Sequence, residues 1–559
     1  MAPYAVAVLA DAHFHDPGGE FGGAGIVVDG KRLALRSWAD TRIAARAFNE
    51  TAGVLRAALE KVAAAGVRHV VLAGDYSDDG QAENMRRLVD VLQRFEHRYG
   101  LRFYVIPGNH DLYGPHGKDV TTRFVSAPGQ TVMVTSDAEQ AALDVSAILT
   151  PAMRCGGQPA ALLPMARFGL FRQPEYLHWE SPFDADDRPE ARMYEAVAKD
   201  GSVTQRLMDA SYLVEPEPGL WLLMIDANVF EPRAGRPDAT RKKAFIGPSD
   251  AGWNAVLRVK PFLPDWIADV TARAAALGKT LISVSHYPVL DPFQDGAGSE
   301  RALFGETAIV RRTPGPQVAQ ALIDAGLRWH IGGHMHVNAT TRTADGRLTD
   351  LSLPSLVAFP AAFKIIHASV DLVSVETISL EHVLPDPDIS AVYRAEGQEV
   401  VLPLGAMLAA QRRAHVLERR LLHDWPPAVL ALVEGRDVGF LVELVGGEVA
   451  AFVSRHGLGV AAISACPFAD LIADAYLIKV AGPLSVDWIA ADRLALCRAL
   501  AADYGDASAD PRQGPCGFLQ RFLSVLQLSL DRVDAGDSAI LPVAAGLSRA
   551  LPPRYPTAG

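Results

Sequence analysis

Five short motifs occur in order along this chain: Asp11-Ala12-His13, Gly74-Asp75, Gly108-Asn109-His110-Asp111, His286 and Gly333-His334-Met335-His336. Seven of their side chains (Asp11, His13, Asp75, Asn109, His286, His334 and His336) are carboxylates, imidazoles and one carboxamide, the ligand types that suit Mn, Fe or Zn, with no soft thiolate among them. That set is what two adjacent divalent cations need. A pair of ions about 3.5–4 Å apart requires one bridging oxygen ligand, and a carboxylate on a tight turn, Asp75, is placed for it. At strand ends, alternate residues of Asp-X-His and His-X-His point the same way, so Asp11 is expected to act with His13 and His334 with His336. Gly74, Gly108, Gly332 and Gly333 let the backbone turn sharply beside them. Paired cations lower the pKa of a shared water and offset charge on phosphoryl oxygens, so the chemistry expected is phosphoester hydrolysis by a metal-bridging hydroxide.

Each motif follows an apolar run, and the elements around it read as strand–helix alternation. Residues 4–10 form a predicted strand, 41–65 a helix capped by Asp40, 69–73 a strand, 81–99 a helix closed by Gly100, and 102–106 a strand stopped by Pro107-Gly108. Residues 112–218 break the rhythm and read as an insertion, with helices expected near 138–149 and 189–198. Alternation resumes with strands at 221–227, 280–285 and 327–331 and helices at 265–277 and 317–325. A hairpin is expected around Asp345-Gly346, and further antiparallel strands at 357–360 and 365–380. Such alternation implies parallel strands with helices on the sheet faces and a ligand site beyond the carboxyl ends of the strands, where the motifs lie.

The 559 residues are too many for one ordinary core, so at least two domains are expected. Composition is globular, with 49% hydrophobic and 21% charged residues and a mean hydropathy of +0.11. A boundary is expected at Pro385-Asp386-Pro387, dividing 1–385 from a helical C-terminal domain, 386–559, with helices at 404–422, 427–434, 439–454, 470–480, 486–502 and 518–530. That second region carries no chemical motif; it is a possible oligomer contact. The net charge of −12 argues against nucleic acid and anionic membrane surfaces. No apolar stretch is long enough to span a membrane. The first apolar run leads straight into Asp11 without a basic segment before it, which argues against a cleaved signal peptide. Four cysteines at neither metal-ligand nor redox spacing suit a reducing, cytoplasmic compartment.

Taken together, the ordered motifs resemble the calcineurin-like metallophosphoesterase superfamily, whose pattern runs D-x-H, G-D, G-N-H-[DE], H, G-H-x-H; every element is present over residues 11–336. The resemblance implies an α/β fold, a four-layer αββα double β-sandwich. It implies that Asp11, His13, Asp75 and His336 bind one metal ion and that Asp75, Asn109, His286 and His334 bind the other. It further implies that His110 sits near the leaving group as acid or transition-state stabiliser, with Asp111 orienting it. The substrate expected is a small phosphoester, a phosphodiester or nucleotide first. Alternatives on the same fold are a phosphomonoesterase, a nuclease, which would need a basic aromatic groove that composition does not suggest, and a non-catalytic interaction module, which should have lost ligands.

Other residues carry weaker signals. Tyr113, His116 and Lys118 are the candidate substrate contacts. His15 reads first as a satisfied loop histidine and second as another such contact. His330, inside a strand, reads as structural; Asp78 and Asp79 as a solvated turn; Arg311-Arg312 as a solvated loop. Tyr287 packs or touches substrate. A G-x-S-x-G nucleophile elbow, a P-loop and a dinucleotide fingerprint are all missing.

Overall fold

The computed structural model describes residues 3–294, 298–398, 401–419, 448–449, 466–504, 514–536 and 540–542. Two mixed sheets form the centre. In the first, the strands run in the order Ile540–Pro542, Leu372–Ser379, Ala362–Ala368, Tyr4–Leu9, His69–Ala73 and Arg102–Ile106. In the second, the order is Ala339–Arg342, Thr349–Ser352, Trp329–Gly332, Thr280–Ser285, Leu220–Ile225, Tyr212–Glu217 and His178–Glu180. Tyr4–Leu9, His69–Ala73 and Arg102–Ile106 pair in parallel, as do Leu220–Ile225, Thr280–Ser285 and Trp329–Gly332. Central parallel strands are covered on both faces, which is why residues 70–73 and Leu220–Ile225 are unbroken apolar runs, buried at every position. The sheets meet face to face, where the Tyr212 hydroxyl donates to the Val105 carbonyl at 3.0 Å.

Helix Ala82–Tyr99 packs on the first sheet with Thr51–Ala64 beside it, and Phe262–Ala276 on the second with Pro316–Asp324 beside it. The architecture is the αββα double sandwich, continued by a helical C-terminal region. Ala82–Tyr99 ends where expected: Gly100 takes φ +70° and its N–H bonds the Glu96 carbonyl, satisfying an orphan acceptor of the last turn.

Several local expectations are corrected. The helix expected over 41–65 is split: Trp38–Thr41 is one turn, residues 42–50 are loop, and Thr51–Ala64 is the helix proper. Asn49 explains the break, because its side chain bonds both the N–H and the carbonyl of Arg36 instead of joining a helix. In the insertion, Pro189–Arg192 is a single 3-10 turn, and Met193–Val197 then pairs antiparallel with Thr204–Met208. Near 138–149 only Ala138–Ala141 is helical, capped by Asp137. Residues 357–360 are loop, not strand. Helix Pro248–Val259 was not anticipated, because Gly252 at φ +38° interrupts it.

Beyond residue 386 the described helices are Pro387–Ala395, Leu404–His415, Phe468–Ala481, Ala491–Tyr504 and Gly514–Ala535. The helices expected at 427–434 and, apart from 448–449, at 439–454 lie outside the described residues. No described helix is long and apolar enough to cross a membrane. Cys155, Cys466 and Cys497 are buried free thiols.

Candidate metal centre

All five motifs lie just beyond strand ends and close on one point. The loops are latched to each other by backbone bonds: Asp11 N–H to Gly74 O at 3.1 Å, His13 N–H to Asp75 O at 2.8 Å, and Gly333 N–H to His286 O at 2.7 Å. Side chains add further ties. The Asp11 carboxylate accepts the His334 N–H at 3.0 Å, and Asp75 Oδ1 accepts the His110 N–H at 2.7 Å.

Convergence is not achieved by strand alternation, as the spacing suggests. Asp11 (φ +53°), His13 (+40°), Asp75 (+46°), His334 (+67°) and His336 (+52°) are all left-handed. They are five of the eight non-glycine residues with positive φ among those described. Such conformations cost on the order of 1–3 kcal/mol each and persist where the surroundings over-determine them, characteristically at functional sites. Two glycines make the approach possible. A Cβ on Gly74 would stand 2.4 Å from His286 Nδ1, and one on Gly108 2.3 Å from Asp75 Oδ1.

The seven side chains form two overlapping sets. His336 Nε2 is 3.2 Å from Asp11 Oδ1 and 3.3 Å from His13 Nε2, and His13 Nε2 is 4.0 Å from Asp75 Oδ2. His286 Nε2 is 3.3 Å from both Asp75 Oδ2 and Asn109 Oδ1, and His334 joins Asp75 and His286 in a compact group. Asp75 belongs to both. Ligand atoms about 2.1 Å from one ion stand roughly 3.0–3.4 Å from each other, so these separations fit shared cations. Six of the seven are buried; the His336 side chain is 24% exposed.

Hydrogen bonds fix which imidazole nitrogen is available. His286 Nδ1 bonds the Ala73 carbonyl at 2.9 Å, which leaves Nε2 toward Asp75 and Asn109. His334 Nε2 bonds the Ser249 carbonyl at 3.0 Å, which leaves Nδ1. His13 Nδ1 is buried with no hydrogen-bond partner. Burial, reinforced by Arg46, holds the His13 pKa well below its ordinary value; burial with Arg312 does the same for His334. Both imidazoles are therefore neutral, the form a metal ion could bind. His286 goes the other way: burial lowers its pKa, but Asp75, joined by Asp11 and the Ala73 carbonyl, raises it to about 9. A proton here holds together two groups that a cation would hold instead. The donor set thus fits two divalent ions.

His110 lines the same cavity. Its Nδ1 bonds the Asp78 carbonyl at 2.7 Å and Asp79 Oδ1 at 2.9 Å. Burial would lower its pKa, but Asp75 and Asp79 raise it. Asp111 does not touch it. Its carboxylate accepts from Ser77 N–H at 2.9 Å, Ser77 Oγ at 3.0 Å and Gly108 N–H at 2.8 Å, so it fastens the loop and leaves orientation of His110 to Asp79. Asp78 is not a solvated turn residue either: it is fully buried, 2.8 Å from Arg46 and 3.7 Å from Arg36.

None of the four candidate substrate contacts lines the cavity that holds His13, Asp75 and His110. His15 is buried, stacked on Phe48 at 4.3 Å, with Nε2 2.7 Å from the Ala34 carbonyl. Tyr113 packs on Phe230 and gives its hydroxyl to the Lys242 carbonyl. His116 faces solvent. Lys118 reaches Asp79 at 3.6 Å, one step behind His110. His330 is structural, as expected: it lies 2.9 Å from both Ser285 Oγ and Asp350 Oδ1. Asp350 Oδ2 accepts the Val289 and Leu290 N–H groups, so this fully buried cluster braces the loop that carries His286. Tyr287 is also buried and donates its hydroxyl to Asn228 Oδ1 at 3.1 Å.

The calcineurin-like phosphoesterase family model matches residues 4–137. No curated protein sequence matches the chain. Among solved structures, a dimetal phosphatase from Danio rerio is similar at 12% identity over 68% of this chain and 97% of that one, TM-score 0.34. A putative 5'-nucleotidase from Staphylococcus aureus is similar at 11% over 70% and 58%, TM-score 0.32. GAP50, the anchor in the inner membrane complex of Plasmodium, is similar at 10% over 68% and 85%, TM-score 0.27. Scores this low lend no weight to any particular substrate.

Proposed function

We propose that this chain, whose residues 4–137 belong to the calcineurin-like phosphoesterase family, is a dinuclear metal-dependent phosphoesterase acting on a small phosphoester, a phosphodiester first. The observation that carries this reading is the double ligand set sharing Asp75. Asp11, His13, Asp75 and His336 would hold one ion; Asp75, Asn109, His286 and His334 the other. Two divalent ions supply Lewis acidity for activating water and offsetting phosphoryl charge.

The protein's own groups supply the rest. His110 is held by Nδ1 between the Asp78 carbonyl and Asp79, whose charge favours the imidazolium and so a proton on Nε2 for the leaving oxygen. General acid catalysis of this kind contributes roughly 10²–10⁴-fold. Arg46 and Arg312 line the cavity and add positive charge where the phosphoryl oxygens would lie. The cavity is about 250 Å³, walled by residues from widely separated segments, which suits a small substrate better than a polymer.

Protein loaded with Mn²⁺ should turn over bis-p-nitrophenyl phosphate faster than mono-p-nitrophenyl phosphate, and chelator should abolish both. Absence of metal-dependent turnover of either would count decisively against the proposal. The reverse preference would move the assignment to a phosphomonoesterase.

A further inference from the structure

We propose that the substrate's organic group is apolar: beside the metal centre the cavity holds a subsite for an alkyl or aryl group, walled by Phe293, Ile309, Met335, Phe359 and Val480, which the region after residue 386 partly supplies and partly backs. This rests on the phosphoesterase reading above and deepens it.

The proposed metal ligands and His110 account for one part of the cavity lining, and the rest is apolar apart from Arg46, Arg312 and Arg412. Arg46 holds Asp78 at 2.8 Å and Arg312 holds Asp250 at 3.4 Å. Among the described residues that line the cavity, none bears a hydroxyl. The single side-chain amide, Asn109, and the single acid, Asp75, belong to the proposed ligand set. Side chains that could pair the hydroxyls of a sugar or polyol are therefore missing from the lining. A hydroxyl moved from water against such a wall loses hydrogen bonds that it does not replace, whereas each methylene laid on it gains. Ile309 and Met335 are half-buried, so part of each faces the open cavity. Met335 stands between His334 and His336, so the apolar wall begins at the metal centre itself.

The C-terminal region holds this wall in place. Val480 comes from helix Phe468–Ala481, and its carbonyl accepts the Asn338 N–H at 2.9 Å, two residues past His336. The Phe293 ring lies under the Lys479 ammonium, 4.8 Å from its centroid, and under the Arg532 guanidinium, 5.8 Å away. Both cations are themselves fixed. Lys479 pairs with Glu300 at 2.8 Å, and Arg532 donates to the Pro292 carbonyl at 2.8 Å and the Lys479 carbonyl at 2.7 Å. Phe359 meets Trp488 edge to face, with ring centroids 6.0 Å apart. Helix Leu404–His415, which brings Arg412 to the cavity, fastens the loop beside Arg46: Gln411 Nε2 donates to the Thr41 carbonyl at 2.6 Å, and His415 Nδ1 bonds the Ile43 carbonyl at 3.0 Å. Side chains already ordered in this way lose little freedom when a ligand lies on them.

The test uses the protein loaded with Mn²⁺ and a series of n-alkylphosphonates, which contain no phosphoester bond, so that binding is read apart from turnover. By calorimetry, affinity should rise about two- to fourfold for each methylene from methylphosphonate to hexylphosphonate, and at least about tenfold in all. Dihydroxypropylphosphonate should bind at least about fivefold more weakly than propylphosphonate. Ile309→Ser and Val480→Thr should each reduce the hexyl-to-methyl affinity ratio by about threefold or more. In turnover, alkyl p-nitrophenyl phosphates, which share one leaving group, should show the same rise in kcat/KM with chain length, chiefly through KM. Affinity independent of chain length, or equal binding of the propyl and dihydroxypropyl ligands, would overturn the subsite without needing a variant. An unchanged ratio in both folded variants would also overturn it. A rise in affinity with chain length but no metal-dependent turnover of any phosphoester would sink the phosphoesterase reading and leave the subsite standing.

Discussion

Replacing Lys260 should show how the site's support is held. Its ammonium is fully buried, 2.8 Å from Asp209 Oδ2, 2.8 Å from Asp226 Oδ2 and 2.7 Å from the Asp226 carbonyl. Asp226 follows strand Leu220–Ile225, and its Oδ1 accepts the Asn228 N–H at 3.0 Å. Asn228 in turn gives its side-chain amide to the Gly108 carbonyl at 2.9 Å, beside Asn109. Lys260→Met would strand two buried carboxylates, and breaking a buried pair in this way costs about 3–5 kcal/mol. Burial already raises the Asp226 pKa with the lysine present. Without it, the folded state would hold carboxyl protons that the unfolded chain releases. Stability of the variant should therefore fall as pH rises above the ordinary carboxylate range, and its deficit should shrink on acidification. Urea unfolding of both proteins near pH 8 and near pH 5.5 reads this directly. Adding Asp209→Asn and Asp226→Asn should recover most of the loss near pH 8. A deficit below about 1 kcal/mol near pH 8, or one that does not shrink in acid, would refute the reasoning.

Three further outcomes are expected. Gly74→Ala, with a Cβ 2.4 Å from His286 Nδ1 at φ +81°, should displace His286 and cut metal content and turnover together; full metal occupancy in a folded variant would contradict the close-approach argument. Because His286 holds its proton up to about pH 9, apparent metal affinity should weaken by up to about tenfold per pH unit below that value; chelator competition at several pH values would show it, and a flat profile would exclude a titrating ligand. Asp79→Asn should lower kcat more than it changes KM and move the alkaline limb of the kcat profile to lower pH, since Asp79 supports the raised His110 pKa; an unmoved limb would remove Asp79 from the positioning of His110.

Much of the centre was legible because strand ends are easy to read and ligand chemistry is restrictive. A β-branched or apolar run stopped by Gly-Asp or Gly-Asn-His predicts both the turn and the side chains it presents, and the seven candidate side chains do come together beyond those strand ends. How they meet was not legible. The left-handed backbone at Asp11, His13, Asp75, His334 and His336 opposes their intrinsic preference and is imposed by latches from other loops, such as the Asp11 N–H on Gly74 O. Asp78 and Asp79 read as a polar turn because their partners, Arg46 and His110, lie 32 and 31 positions away in sequence. The 41–65 helix looked continuous because its apolar spacing runs through a loop that Asn49 closes from the side. Arg412 gave no local signal, since only the docking of its helix on Thr41 and Ile43 brings it to the cavity.

The central claim is that two cations share Asp75. Elemental analysis of the protein, saturated with Mn²⁺ and then freed of loose ions, tests it most directly when run beside Asp75→Asn. The account predicts about two equivalents in the unmodified protein and loss of most of both in the variant. No retained metal in the unmodified protein, or undiminished metal in the variant, would contradict it.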